Sequence, residues 1–214
     1  MLREATGDLC WLFDRGYAGA SALKLVGDRY ALKQRQRIAV ARCSSSKAAV
    51  ERRTAKRIDP RHLAGQELWV DGYNVLTTLE AALGGGIVLA ACDGCYRDMA
   101  SMHGSYRKVA ETIPALTILG EVLASRKIER VHWLLDSPVS NSGRLKQIMA
   151  DLADESGWPW TIELVPDPDT LLAATEHVVA TADSTILDRC RHWVNLARSI
   201  VDEHIPQAAI VDLS

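Results

Sequence analysis

Apolar side chains recur every three or four residues through the first 62 positions of the chain, which is the period of a helix with one buried face. Glycine residues and the pair Asp59-Pro60 interrupt this pattern where helices would end. The pattern predicts a small all-helical domain over residues 1–62. Its predicted helices are Leu2–Phe13, Ala20–Val26, Tyr30–Ala41 and a fourth that begins after the caps Ser44–Ser46 and reaches Arg57.

The pattern changes after residue 62, because short runs rich in β-branched residues begin to alternate with longer helical stretches. This alternation is typical of β-α-β units around a parallel sheet. We therefore predict an α/β domain over residues 63–214 with a mainly parallel central sheet. The predicted strands are Glu67–Val70, Val131–Leu135, Trp160–Val165, His177–Ala180 and Ala209–Leu213. The predicted helices are Asn74–Leu83, Ser105–Arg126 with a kink at Pro114, Ser142–Ser156, Asp183–Arg191 and Trp193–His204.

The composition is that of a soluble globular protein, with 48% hydrophobic residues and no apolar run near the roughly 20 residues of a membrane span. The N-terminus lacks a signal-peptide core, so we expect a cytoplasmic protein without a membrane partner. Five scattered cysteines favour reduced thiols over a disulfide framework. Cys92 and Cys95 form a C-x-x-C pair, but zinc would need two further ligands, of which His103 offers at most one.

Charge is distributed unevenly, since residues 1–62 carry 14 Lys and Arg against 6 Asp and Glu, whereas the remainder is strongly acidic. A basic region beside an acidic one is typical of a polyanion-binding arm next to a cation-binding site. RNA is the expected partner, and Arg35 and Arg37 are candidate contacts to its phosphates. An equally weighted alternative is that the two oppositely charged parts dock on each other.

Three of the predicted strands lead into an aspartate, namely Asp71, Asp136 and Asp183. In an open parallel sheet such residues can converge beyond the carboxyl ends of the strands. Gathered carboxylates repel one another unless a cation lies between them, and hard oxygen ligands favour Mg²⁺ or Mn²⁺. A metal of this kind activates water for phosphodiester hydrolysis. For any single aspartate, a turn or a helix cap is the commoner role.

Two further segments carry candidate site residues. Asp169 follows the third predicted strand and either adds a fourth acidic group or caps a helix. The polar loop after Asp136 offers backbone N–H groups, hydroxyls and a guanidinium that together would bind a phosphate. Its candidate substrate-binding residues are Ser140, Asn141, Ser142 and Arg144. The alternative for this loop is that one of its serines caps the next helix.

Three short motifs resemble those of known ribonucleases. The run Val70–Leu76, which reads VDGYNVL, resembles the opening of NYN and related PIN-like domains, in which Asp-Gly-x-Asn follows the first strand. Val179–Ser184 is similar to the PIN pattern of a strand ending in Thr-x-Asp, and Leu134–Asp136 is similar to the acidic end of the middle strand. Nearly the whole chain resembles an uncharacterised prokaryotic family that couples a small helical domain to a PIN-like domain.

This resemblance implies a three-layer sandwich with a divalent-metal site formed by Asp71, Asp136 and Asp183. It also implies that Asn74 orients the substrate or a metal-bound water, and that two copies pair as a homodimer. PIN domains usually add an acidic residue from an intervening helix. Glu111 is the candidate for that position, with Glu80 and Asp98 as alternatives.

Three functions remain open from the sequence. The first is a divalent-metal-dependent endoribonuclease whose basic helical domain holds RNA. The second is a non-catalytic RNA- or nucleotide-binding protein that keeps the PIN-like scaffold. The third is a phosphatase that acts on small phosphate esters in the same acidic crevice.

Overall fold

The computed structural model describes residues 1–99 and 109–214 as a mixed α/β protein. Four helices form an N-terminal helical region, and they are α1 (Leu2–Asp14), α2 (Gly19–Arg29), α3 (Gln34–Cys43) and α4 (Lys47–Lys56). A 3₁₀ turn at Pro60–His62 leads to the rest of the chain. The remaining elements are β1 (Glu67–Asp71), α5 (Gly72–Leu83), β2 (Ile87–Ala90), β3 (Tyr96–Asp98), α6 (Thr112–Ser125), β4 (Arg130–Asp136), α7 (Ser142–Ser156), β5 (Trp160–Val165), α8 (Pro168–Ala174), β6 (Val178–Ala180), α9 (Ser184–Arg189), β7 (His192–Val194), α10 (Leu196–His204) and β8 (Ala209–Asp212).

The N-terminal helical region has a small core of its own. This core contains Ala5, Leu9, Leu12, Ala22, Val26, Leu32 and Val40. Ser46 caps α4 as predicted, because its hydroxyl accepts the backbone N–H of Ala49 at 3.2 Å. The predicted start of the third helix at Tyr30 is wrong. Ala31 takes a left-handed conformation with φ of 48° that separates α2 from α3, so α3 begins only at Gln34.

The central sheet has five parallel strands in the order β5-β4-β1-β6-β7. From β1 the chain moves outward to β4 and β5, then crosses through α8 to place β6 and β7 on the other side of β1. Strand order therefore reverses between β1 and β6, where open α/β sheets form a crevice at their carboxyl ends. The predicted fold class, α/β with a mainly parallel central sheet behind N-terminal helices, is confirmed.

Helices cover both faces of the central sheet because side chains alternate between the faces along each strand. Trp133 and the neighbouring inward residues pack with α5, α6, α7 and α10 on one face. Leu134, one position further along β4, packs with α8 and α9 on the other face. Both residues are almost completely buried. The result is a sheet with a hydrophobic core on each side.

A second sheet of three strands, in the order β3-β2-β8, lies outside the predicted pattern. The predicted strand at the C-terminus forms, but as β8 it pairs in parallel with β2 and takes no part in the central sheet. The fifth central strand is β7, whose residues were predicted to begin a helix. Trp193 is fully buried in β7 and its indole N–H donates to the carbonyl of Arg53 at 2.7 Å. Helix α10 therefore starts only at Leu196.

Helix α6 is the apolar helix that was predicted to begin at Ser105 and to bend at Pro114. It begins at Thr112, and residues 100–108, which include His103, lie outside the described residues. Pro114 falls in the first turn, where a proline has no helical N–H bond to lose. No helix in the described part of the chain combines the length and apolar character needed to cross a membrane.

The N-terminal helical region packs against the second sheet and α9. Its apolar contact consists of Ala39, Cys43, Leu89, Ala91 and Leu213. Polar contacts surround it, since Lys56 Nζ donates to the carbonyl of Leu187 at 2.8 Å and Arg3 pairs with Asp212 at 2.7 Å. Part of the basic charge of this region is therefore used to dock it on the acidic remainder, as the alternative interpretation of the charge pattern proposed.

Candidate functional site

A cleft of about 340 Å³ opens at the carboxyl ends of β1 and β6, beside the point where strand order reverses. Its walls come from the central sheet, from α5, α8 and α9, from the second sheet, and from α3 of the helical region. The lining residues are Arg42, Asp71, Tyr73, Asn74, Thr77, Arg97, Asp98, Asp169, Ala182, Asp183 and Ser184. Four of these are aspartates and two are arginines, so the cleft is acidic on balance.

Asp71 ends β1 at the bottom of the cleft, and its side chain is buried. The next residue must be glycine, because a Cβ at Gly72 would lie 2.8 Å from the carbonyl oxygen of Leu134. The Thr181 hydroxyl donates to Asp71 Oδ2 at 2.7 Å. Burial raises the pKa of Asp71 to about 7; the Thr181 hydrogen bond opposes this shift, and the charges of Asp183 and Asp169 add to it.

Asp183 and Asn74 fix the loop between β6 and α9. The side-chain oxygen of Asn74 accepts the backbone N–H of Ala182 at 2.8 Å, which ties α5 to this loop. Asp183 Oδ1 accepts the backbone N–H groups of Thr185 at 2.7 Å and Ile186 at 3.3 Å. Asp183 therefore caps α9 and also lines the cleft.

Asp169 and Asp136 extend the acidic group away from Asp71. Asp169 lies in the first turn of α8 and lines the cleft, while Asp167 is the residue that caps α8, through Thr170 N–H at 3.1 Å. Burial raises the pKa of Asp169, and the charges of Asp183, Asp136 and Asp167 raise it further. Asp136 is not part of the lining, but its charge acts on Asp169. Asp169 thus interacts with Asp136 on one side and with Asp71 and Asp183 on the other.

The additional acid of the cleft is Asp98 of β3, which the sequence offered only as an alternative to Glu111. The hydroxyls of Thr77 and Thr78 donate to Asp98 at 3.0 and 3.3 Å. Glu111 packs instead beside Gly84, beyond the C-terminal end of α5. That end is about 18 Å along the helix from Asp71. The structure therefore does not bring Glu111 to the cleft.

Glu80, the other alternative for this position, is buried away from the cleft. It accepts the hydroxyl of Thr112 at 2.5 Å and so joins α5 to the start of α6. This contact explains why α6 packs against the C-terminal half of α5. It also keeps Glu111, the residue before Thr112, at that end of the helix.

The cationic wall of the cleft consists of Arg42 and Arg97, neither of which the sequence nominated. Arg42 comes from α3 and donates to the carbonyl of Asp98 at 2.6 Å. Arg97 is almost fully buried, and its Nε donates to the carbonyl of Ala182 at 2.9 Å. Its two terminal nitrogens bind Asp93 at 2.9 and 2.7 Å. Each guanidinium thus binds a backbone carbonyl beside the acidic group, Arg42 that of Asp98 and Arg97 that of Ala182.

The arginines that the sequence did nominate lie elsewhere. Arg37 pairs with Asp28 at 2.8 Å and donates to the carbonyl of Leu32 at 3.0 Å, so it stabilises the helical region. Arg35 is exposed on α3 and does not line the cleft. Sequence pattern could not separate these arginines from Arg42, because the difference depends on which face of α3 meets the second sheet.

The polar loop before α7 also lies outside the lining of the cleft. Asn141 takes a left-handed conformation with φ of 69° at the N-cap position, and Ser142 is buried. Ser140 and Arg144 are exposed. The loop acts on Tyr73 of the cleft: burial and the charge of Asp136 raise the pKa of the Tyr73 hydroxyl to about 12, and the hydroxyl of Ser142 partly opposes this shift.

Metal binding is chemically compatible with this set of ligands, because the cleft gathers hard carboxylate oxygens, and burial together with the neighbouring acidic charges raises the pKa values of Asp71 and Asp169. Within residues 1–99 and 109–214, however, no three Asp, Glu, His or Cys side chains already form a cluster that could hold an ion. A metal would therefore require the carboxylates to rotate toward it.

The burial of Asp71 predicts a specific pH dependence of stability in the absence of metal. Because its pKa is about 7 in the folded protein and lower when unfolded, the folded state is favoured at acidic pH and loses stability as the pH rises from about 4 to about 7. The Asp71→Asn variant should lack this loss, which amounts to up to about 4 kcal/mol. Urea unfolding of both proteins across this pH range measures the difference. If the free energy of unfolding changed with pH in the same way in both proteins, the expected pKa of Asp71 would be contradicted.

The fold and the cleft define an α/β protein with an acidic site at a topological switch point, and comparisons with known proteins identify its family. The protein-family model "Domain of unknown function (DUF5616)" matches residues 60–199, and a second family model, "Protein of unknown function (DUF434)", matches residues 1–56. The "Uncharacterized protein MJ0935" of Methanocaldococcus jannaschii is 30% identical over 203 residues, which cover 94% of this chain and 97% of the relative. The chain belongs to the DUF5616 family and carries a DUF434 region at its N-terminus. No solved structure matches it.

Proposed function

We propose that the acidic cleft catalyses divalent-metal-dependent hydrolysis of phosphodiester bonds in RNA. One observation carries this proposal. Asp71, Asp169 and Asp183 line a single cleft at the switch point of the sheet; burial raises the pKa values of Asp71 and Asp169, and the charges of neighbouring aspartates raise them further. Burial and mutual repulsion disfavour the ionised form of these carboxylates, and a cation between them would stabilise it.

The metal would be Mg²⁺ or Mn²⁺, held by Asp71 and Asp183 with Asp169 and Asp136 on one side. An ion of this type would supply an activated water and would neutralise the charge that builds on the phosphoryl group. The chain's own residues do the rest of the work. Asn74 accepts the backbone N–H of Ala182, and Arg97 donates to the backbone carbonyl of the same residue. Together these two hydrogen bonds fix the position of Asp183. Arg42 supplies positive charge at the rim for a phosphate.

Two further features support the nuclease proposal. Val70–Leu76 resembles the first motif of PIN-like ribonucleases, and within it Asp71 and Asn74 both reach the cleft. Helices cover both faces of the parallel sheet, which is compatible with the PIN-like sandwich. Exposed basic residues of the helical region, among them Lys33, Arg35 and Arg52, would contact the RNA backbone beyond the cleft.

A second candidate is hydrolysis of a small phosphate ester. The observation in its favour is that Arg37 and Arg53 of the helical region are engaged in ion pairs within the protein, which reduces the charge available to a polyanion. The volume of about 340 Å³ also suits a small ligand. Salt separates the two candidates, because RNA binding weakens steeply with added salt and the binding of a small ester weakens little.

The direct test is cleavage of labelled single-stranded and structured RNAs with Mg²⁺ or Mn²⁺, together with Mn²⁺ binding by calorimetry. Asp183→Asn is the informative variant, because asparagine keeps the cap of α9 but removes a charge from the cleft. It should lose both metal binding and cleavage. Asp151→Asn, an exposed position on α7, is the matched control and should keep both. RNA binding without cleavage in either metal would instead support the non-catalytic alternative.

Arg42→Ala is expected to lower kcat/KM for RNA about 10-fold or more, because it removes a cation from the cleft wall. The salt dependence of RNA binding should also become shallower by about one phosphate contact. Arg130→Ala is a suitable control, since Arg130 is exposed at the opposite end of the central sheet. Equal losses in both variants would show that Arg42 has no special place in the site.

A further inference from the structure

Two cysteines from different parts of the chain lie close together where the helical region meets the second sheet. Cys10 is on α1 and Cys92 follows β2, 82 residues later in the sequence, yet their Sγ atoms are 3.8 Å apart. Both side chains are free thiols of intermediate exposure. No part of the proposed hydrolytic reaction uses them, and the C-x-x-C spacing of Cys92 with Cys95 does not account for this contact.

We propose that Cys10 and Cys92 are a redox-sensitive pair that closes into an intramolecular disulfide and fastens the helical region to the second sheet. Closure requires the two sulfurs to approach from 3.8 Å to about 2.05 Å. The backbone around Cys92 is already in place, because its N–H donates to the carbonyl of Cys43 at 3.0 Å and so ties the loop to the end of α3. This inference is independent of the proposed nuclease function.

The surroundings of the thiols favour this pair over the other cysteines. The hydrogen bond with the Cys92 thiol lowers the pKa of Cys10 to about 6, and the same contact together with burial raises the pKa of Cys92. Burial raises the pKa of Cys43 and Cys95 to about 12 and also raises that of Cys190. A low-pKa thiolate next to a partner thiol is the arrangement that oxidises selectively.

The reaction balances with a small-molecule disulfide as the oxidant. The Cys10 thiolate attacks one sulfur of that disulfide, forms a mixed disulfide and releases the first small thiolate. Cys92 then loses its proton to water and attacks Cys10 Sγ, which forms the Cys10–Cys92 bond and releases the second small thiolate. Two electrons pass from the protein thiols to the small disulfide, which leaves as two thiols.

The bond would act on the contact that supports the cleft. Residue 93, directly after Cys92, is the buried aspartate that binds both Arg53 of the helical region and Arg97 of the cleft wall. A covalent link at Cys92 holds this loop against α1, and it closes a long loop of chain. The oxidised protein should therefore melt about 5 to 15 °C higher than the reduced protein.

The test treats the full-length protein with oxidised glutathione at neutral pH and follows intact mass, peptide mapping and melting temperature. We expect a loss of two hydrogen atoms, a peptide that joins Cys10 to Cys92, and a melting temperature that dithiothreitol restores to the reduced value. Cys92→Ser should instead accumulate glutathione on Cys10, and the control Cys190→Ala should still form the bond. Recovery of both thiols unmodified, or a bond that joins another pair, would overturn the proposal.

Discussion

Asp71→Asn is expected to reduce metal-dependent RNA cleavage by about 10³-fold while leaving the fold intact. The asparagine side chain has the same shape and can still accept the Thr181 hydroxyl, which now lies 2.7 Å from Asp71 Oδ2. What it lacks is the negative charge at the centre of the acidic group. Without that charge the cleft should hold Mn²⁺ weakly, and the attacking water should lose its activation.

Asp71→Asn separates catalysis from folding, because the substitution should lower the rate of RNA cleavage without lowering the stability of the fold at neutral pH. At neutral pH, Asp71→Asn should be at least as stable as the wild type, since it removes a buried carboxylate whose pKa is raised to about 7. Circular dichroism and urea unfolding measure the stability, and calorimetry with Mn²⁺ measures the metal affinity. Full cleavage by a stable variant that binds Mn²⁺ as tightly as the wild type would exclude Asp71 as a metal ligand.

The strand-end aspartates could be predicted from the sequence because parallel strands bring their carboxyl ends to one edge. Asp71 and Asp183 both line the cleft. Asp136, at the end of β4, does not line the cleft. Asp71 pairs with Leu134, so β4 continues two residues further before its aspartate is reached. A sequence pattern gives the order of residues in a strand, but it does not give their register with the neighbouring strand.

The cationic wall and Asp98 could not be predicted in the same way. Arg97 and Asp98 belong to β3, a strand of three residues in a stretch without clear periodicity. Arg42 reaches the cleft only because α3 packs against the second sheet, and this is a tertiary contact between distant segments. The positive charge of the helical region could be predicted from the sequence. Which of its basic side chains face the cleft, and which bind other parts of the protein, could not.

Arg53→Ala is expected to destabilise the protein by about 3–5 kcal/mol, because it leaves a buried acid without one of its two cations. Arg53 donates to Asp93 at 2.6 Å and to Asp188 at 2.8 Å, and both Arg53 and Asp93 are almost fully buried. Burial alone would raise the pKa of Asp93, but the charges of Arg97 and Arg53 outweigh it and hold that pKa below its usual range. Arg53 thus joins the helical region to the loop that supports the cleft.

The pH dependence of this variant identifies the mechanism of its instability. In the wild type, the depressed pKa of Asp93 contributes stability above the unfolded pKa of about 4, and this contribution is lost as the pH falls through the lower folded pKa. Arg53→Ala should therefore lose most stability near neutral pH and less in acid.

Arg52→Ala, the exposed neighbour on α4, should change stability by less than about 0.5 kcal/mol. A loss in Arg53→Ala that is equal at all pH values would mean that packing, and not the charge of Asp93, makes Arg53 essential. Because Asp93 also binds Arg97, the charge mechanism further predicts that RNA cleavage by Arg53→Ala falls even at temperatures where the variant remains folded.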